Sequence, residues 1–196
     1  MLGLYETLID GLLEKGFQSV DNWLTNDELI GLRKSLLAHH ENNCFYNAGI
    51  GNKAQLQTIK SIRNDLIFWL DPLKANAFEE NFLQKINDFV AYLNRTCYTG
   101  IRSHEFQYAI YNVGAFYKKH VDTFKNDDKR KFSVVFYLTE NWQPGDGGEL
   151  KIFANDTVEE IQPIGGRLVF FNSDIPHEVL KSNTKRLSLT GWLKTS

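Results

Sequence analysis

The sequence predicts an α+β fold in which N-terminal helices pack against one face of a β-barrel-like double sheet. In the first half, apolar residues recur at helical spacing. From His104 onward the chain breaks into short runs of aromatic, β-branched and aliphatic residues, separated by turn-forming clusters. The length of 196 residues suits one domain with a proper core.

The helices announce themselves through their starts and stripes. Thr25 followed by Glu28 forms a capping box, in which hydroxyl and carboxylate satisfy free backbone N–H groups. Leu29, Leu32, Leu36 and Leu37 then carry a helix through about His40. A second helix runs from near Phe78 to Leu93, with Phe78, Phe82, Ile86, Phe89 and Leu93 on one stripe. Strands are expected at 105–112, 132–138, 149–153, 167–171, 178–180 and 186–193. Turn chemistry breaks them at Pro144-Gly145-Asp146-Gly147-Gly148, Gly165-Gly166 and Ser182-Asn183-Thr184. Residues 1–100 read as a helical support region integral to one domain, and 101–196 as its core.

Composition narrows the function. With 42% hydrophobic residues, 14 Phe, 8 Tyr and 4 Trp, the chain is ordered and globular. A net charge of −2 argues against a general polyanion binder, and the basic run 125–131 is broken by Asp127 and Asp128, so no nucleic-acid partner is expected. Cys44 and Cys97 are too few for a disulfide framework and read as buried, inert thiols of a reducing compartment. Glu6, Asp10 and Glu14 are incompatible with a signal peptide over residues 1–16, and no apolar run approaches the roughly 20 residues of a membrane span. A soluble, cytoplasmic protein is expected.

The chemistry begins at His120-Val121-Asp122. In an extended strand, side chains at i and i+2 share a face, so an imidazole and a carboxylate can approach one metal. Alone, this spacing is common by chance and also fits a surface histidine beside an acid. His177 adds weight, standing just after the apolar strand Leu168-Val169-Phe170-Phe171. Two imidazoles and one carboxylate on one face of an ion leave three positions open, as O₂ activation requires. Nine residues later Arg186 opens the last strand, where Arg186, Ser188, Thr190 and Trp192 share one face and Leu187, Leu189 and Leu193 the other. That polar face suits a ligand cavity, in which an Arg holds a carboxylate by paired hydrogen bonds.

These segments, with Gly147-Gly148-Glu149-Leu150 and Pro176-His177-Glu178-Val179, resemble the Fe(II)/2-oxoglutarate-dependent oxygenase superfamily. Within it they resemble the prolyl-4-hydroxylase-like branch that includes the hypoxia-sensing prolyl hydroxylases. The likeness is strongest over 104–193 and reaches back to Ile62-Arg63-Asn64-Asp65 and Trp69, with Asn64 where a Gly is usual. The resemblance implies a double-stranded β-helix (jelly-roll) core with supporting N-terminal helices. It implies that His120, Asp122 and His177 bind Fe(II), and that Arg186 pairs with the C5 carboxylate of 2-oxoglutarate, aided by Tyr137. It places Tyr111, Thr190 and Trp192 on the pocket wall. It further implies O₂ as co-substrate, ascorbate as reductant, and hydroxylation of a C–H bond, in a prolyl residue of a protein or peptide, with release of succinate and CO₂.

Blander readings stand beside these. Tyr137, Thr190 and Trp192 each also fit a packed core, and Arg63 with Asp65 fits a structural ion pair. His39, His40 and His104 read as surface residues, Glu149 as turn chemistry, and Trp142 as a candidate contact between chains. Loops 42–58 and 123–131 are expected to carry substrate contacts, the second moving when substrate binds. Alternatives are the same chemistry on a small molecule or another residue, a non-catalytic binding barrel, and a zinc-type hydrolase. The last leaves Arg186 and the polar final strand unexplained.

Overall fold

The computed structural model describes residues 1–49, 59–123 and 129–196. Helix α1 (Leu2–Lys15) leads into β1 (Phe17–Val20), α2 (Asn26–Glu41), β2 (Tyr46–Asn47), β3 (Leu66–Trp69) and α3 (Ala77–Cys97). The second half is all strand: β4 (Ser103–Tyr111), β5 (Tyr117–His120), β6 (Arg130–Tyr137), β7 (Leu150–Ala154), β8 (Thr157–Ile161), β9 (Leu168–Asn172), β10 (His177–Val179) and β11 (Arg186–Lys194). Among the described residues these strands make two antiparallel sheets, ordered β1-β9-β6-β11-β4-β3-β2 and β5-β10-β7-β8. This is the jelly-roll arrangement with helical support.

The capping box of α2 forms as the sequence predicts: the Thr25 N–H donates to Glu28 Oε2 at 2.7 Å and the Glu28 N–H to Thr25 Oγ1 at 3.3 Å. Asn76 and Glu79 repeat the device at the start of α3. Alternation along each strand of the larger sheet then divides the interior. Phe106, Tyr108 and Ile110 of β4, Val134 and Phe136 of β6, and Leu187, Leu189 and Leu193 of β11 face the helices. Their neighbours, among them Ala109, Tyr111, Val135 and Tyr137, face the smaller sheet. The site is built in this inter-sheet layer.

All six expected strands are present within two residues of their predicted ends. Helix α1 and strands β1, β2, β3, β5 and β8 go beyond the expectation. The first half is therefore not only helical, since β1, β2 and β3 extend the larger sheet at both edges. These strands are short and their partners distant, as with Phe17 opposite Phe171, so no local periodicity marks them.

Several expectations need correction. Phe78 is 46% exposed and its ring lies over Gly31 of α2, leaving the buried stripe to Phe82, Ile86, Phe89 and Leu93. Cys44 and Cys97 are exposed: one sits in the loop after α2, and the other closes α3 beyond its last buried residue, Leu93. His39, His40 and His104 are half-buried. His39 Nε2 lies 3.0 Å from the buried Glu79 carboxylate, which also accepts from Tyr108 Oη at 3.0 Å, and His104 Nε2 meets Asn87 Oδ1 at 2.9 Å. Trp142 is buried, donating its indole N–H to the Gly147 carbonyl at 2.9 Å, and so braces the glycine turn. Among the described residues no helix is long and apolar enough to cross a membrane. Most of loop 42–58 (residues 50–58), most of loop 123–131 and most of the basic run 125–131 fall outside the described residues.

Candidate active site

Strands β5 and β10 pair antiparallel with His120 opposite His177, bringing two imidazoles together at one end of the smaller sheet. Their rings are 4.2 Å apart between centroids. Strand β5 ends at His120, so Asp122 lies just past the strand rather than within it. Its aim comes from elsewhere. The Asp122 N–H donates to the Ser173 carbonyl at 2.9 Å, Ser133 Oγ donates to Asp122 Oδ2 at 2.7 Å, and Ser173 Oγ lies 2.9 Å from Ser133 Oγ. His120 Nε2 and His177 Nε2 each stand 3.6 Å from an Asp122 oxygen, and one donor atom from each residue falls within 4.8 Å of the others.

The donor chemistry suits a cation. His120 Nδ1 sits 2.8 Å from the Lys118 carbonyl and His177 Nδ1 2.9 Å from that of Ile175. A carbonyl only accepts, so each Nδ1 carries a proton, which leaves each Nε2 facing Asp122. Burial, and then the neighbouring His177, push the His120 pKa well below the ordinary imidazole range, keeping the ring neutral. Burial by itself would raise the Asp122 carboxyl, but His177, His120 and the Ser133 hydrogen bond outweigh it and hold its pKa low. The result is a neutral imidazole at His120 beside an ionised carboxylate, with His177 Nε2 facing the same carboxylate.

A cavity of about 150 Å³ opens beside this cluster. Arg186 lines it and is 3% exposed, its guanidinium 4.7 Å from the Tyr111 ring centroid and 5.0 Å from that of Tyr137. Among the described residues its one hydrogen bond runs from Nη1 to Ser188 Oγ at 3.3 Å, and Nε and the Tyr137 hydroxyl have no partner. Burial, against the pull of Arg186, leaves the Tyr137 pKa raised, so the phenol stays a donor. A buried cation beside an idle hydroxyl is a cradle awaiting an acid, since such groups are costly unless paired. Thr190 and Trp192 line the same cavity from β11.

Sequence reasoning missed four contributors. Ser133 and Ser173 orient Asp122; the only signal is a serine in, or just past, an apolar strand. Tyr117 stacks on the His120 ring at 3.5 Å and 15°, with the Arg63 guanidinium 4.1 Å from its ring centroid. Arg63 and Asp65 form the expected ion pair, with bonds of 2.8 and 2.6 Å, yet both also line the cavity. Asn64, between them, accepts the Phe116 N–H on Oδ1 at 2.9 Å. Gln107, in an otherwise apolar stretch of β4, faces the cavity.

The geometry has counterparts. A profile described as the 2OG-Fe(II) oxygenase superfamily matches residues 106–194. A crystallised prolyl-4-hydroxylase from Pseudomonas putida is 32% identical to this chain, with a TM-score of 0.88 over 98% of this chain and all of that one. The chain belongs to the 2OG-Fe(II) oxygenase superfamily, in its prolyl-4-hydroxylase-like branch. A prolyl hydroxylase from Trichoplax adhaerens, solved with a hypoxia inducible factor peptide fragment, shares the oxygenase fold at a TM-score of 0.89 and 24% identity, over 98% of this chain and 90% of that one. An uncharacterised PKHD-type hydroxylase from Synechocystis is 25% identical over 141 residues, 63% of this chain. The matched stretch spans 46%, less than half, of that protein. Family membership brings iron(II), 2-oxoglutarate and O₂ with it, and the His-Asp-His cluster of this oxygenase fits the metal.

Proposed function

We propose that this chain hydroxylates a C–H bond of a prolyl residue in a protein or peptide. The observation that carries the reading is a two-histidine, one-carboxylate cluster sharing a cavity with a buried guanidinium that has no acid partner among the described residues. The P. putida relative, itself a prolyl-4-hydroxylase, supports the substrate class.

In this reading His120, Asp122 and His177 would hold iron(II), and Arg186 with Tyr137 would grip the distal carboxylate of 2-oxoglutarate. Bound together, metal and co-substrate supply O₂ activation coupled to release of succinate and CO₂. The chain's own contribution is position and dryness. The Lys118 and Ile175 carbonyls fix the imidazole tautomers, and Ser133 fixes the carboxylate. Arg186 offers parallel N–H groups whose geometry matches a carboxylate, so it sets orientation as well as affinity. Tyr111, Thr190 and Trp192 form the wall that excludes water. Ascorbate would serve as the reductant that keeps the bound metal ferrous. Residues 1–100 act as the support for the 101–196 core, and the two free thiols suit a cytoplasmic setting.

The test is succinate formation from 2-oxoglutarate with added iron(II), paired with mass spectrometry for oxygen addition to a library of prolyl peptides. Both signals are expected. Absence of succinate overturns the oxygenase reading, whereas succinate without peptide oxidation removes the prolyl assignment alone.

The glycine turn gives a quieter prediction. Gly148 has φ +77°, and a Cβ there would collide with Ser182 Oγ and lie 2.9 Å from Arg186 Cδ. Gly148→Ala therefore strains the backbone by about 1–3 kcal/mol and shifts Arg186. Denaturant unfolding is expected to show the lost stability, and succinate assays a KM for 2-oxoglutarate raised about tenfold, 1.4 kcal/mol of lost binding.

A further inference from the structure

Gln107 is 4% exposed, yet its carboxamide makes no hydrogen bond among the described residues, and Oε1 is completely buried without a donor. It faces the cavity from β4, directly between Thr190 of β11 and Trp69 of β3. Along β4 it stands four residues from Tyr111, which lies opposite Arg186. At about 3.4 Å per residue that is roughly 14 Å from Tyr111 and the Arg186 end of β11, on the flank away from β6. An idle buried amide costs stability unless a ligand completes it.

What it would take follows from its surroundings. The charges on this flank are already matched: Arg63 is bidentate on Asp65, and Arg130 donates to Glu105 at 3.0 and 2.8 Å while lying 3.6 Å from the Trp192 ring centroid. Trp69 and Trp192, 5.8 Å apart between ring centroids, add aromatic faces, and the buried Trp192 Nε1 is a neutral donor without a partner among the described residues. A charged substrate group would find no free countercharge here among Arg63, Asp65, Arg130 and Glu105. A neutral group offering an N–H would meet Oε1, and one offering a carbonyl would meet Nε2. A peptide amide carries both.

We propose that Gln107 is a substrate-reading residue, its carboxamide pairing with a backbone amide of the substrate next to the carbon that is hydroxylated. This rests on the oxygenase reading above and sharpens it: the substrate is recognised through its main chain as a peptide.

The experiment uses full-length protein loaded with 2-oxoglutarate and redox-inert zinc in place of iron. The probes are N-acetyl-proline methylamide and N-acetyl-proline methyl ester, which differ in one N–H. Binding is followed by NMR at the Gln107 side-chain amide, identified by its loss in Gln107→Leu, and at the indole signals of Trp69 and Trp192. The wild type should bind the amide about tenfold more tightly than the ester, with the Gln107 signal moving. Gln107→Leu should bind the two alike, as should Gln107→Met, an unbranched apolar side chain of similar length that serves as a second variant should the first fail to fold. The inference is overturned if the wild type does not discriminate, if Gln107→Leu keeps the preference, or if neither probe binds. A wild type that binds the amide but forms no succinate with iron would instead indict the oxygenase reading and leave Gln107 its role.

Discussion

His120→Ala is expected to abolish conversion of 2-oxoglutarate to succinate and to lower metal affinity by more than about a hundredfold. The scale comes from outer partners: removing a group that merely orients a ligand costs roughly 10–100-fold in affinity, and His120 is itself a proposed ligand. Ser133→Ala, which removes the hydroxyl on Asp122, should fall within that smaller range. The structure explains why no other side chain substitutes. His120 is delivered by the register of β5 against β10 and steadied by the stacked Tyr117 ring, and among the described residues no further His, Cys, Asp or Glu joins the cluster. Calorimetric metal titration and a succinate assay on the folded variant decide the matter. Wild-type affinity or turnover in His120→Ala would remove the site.

Arg186→Met should move function and stability in opposite directions. Without a ligand, the guanidinium is buried with one long hydrogen bond and no ion pair among the described residues, a costly state. An apolar side chain of similar length relieves it, and the ligand-free protein should gain about 1–3 kcal/mol. With 2-oxoglutarate the balance reverses. Removing one partner of a buried charge pair costs roughly 3–5 kcal/mol, so affinity should fall by about a hundredfold or more. Thermal unfolding displays both effects: the variant melts higher alone, yet 2-oxoglutarate raises only the wild-type midpoint. A variant that melts lower and still binds the acid would make Arg186 a structural residue.

Legibility followed the range of the interactions. Capping boxes, helix stripes and the alternation of β11 are local, and each could be read within about ten residues. His120, Asp122, His177 and Arg186 stood out because their chemistry is unusual for an apolar strand framework and matched a known pattern. The Asn155-Asp156 turn between β7 and β8, both residues with positive φ, was a readable hairpin signal that the broader strand pattern obscured. The thiols and the three other histidines were misjudged because burial depends on where an element meets the core, not on residue type.

By itself the sequence determined the class of fold, the six principal strands and the residue types able to hold a metal and an acid, since these follow from periodicity, turn chemistry and donor set. Only the tertiary structure decided that Ser133 and Ser173 aim the carboxylate, that Tyr117 backs His120, and that Gln107 stands idle in the cavity wall. Those relations join strands far apart in the chain, and whether a buried polar atom is satisfied depends on neighbours that folding alone brings within reach.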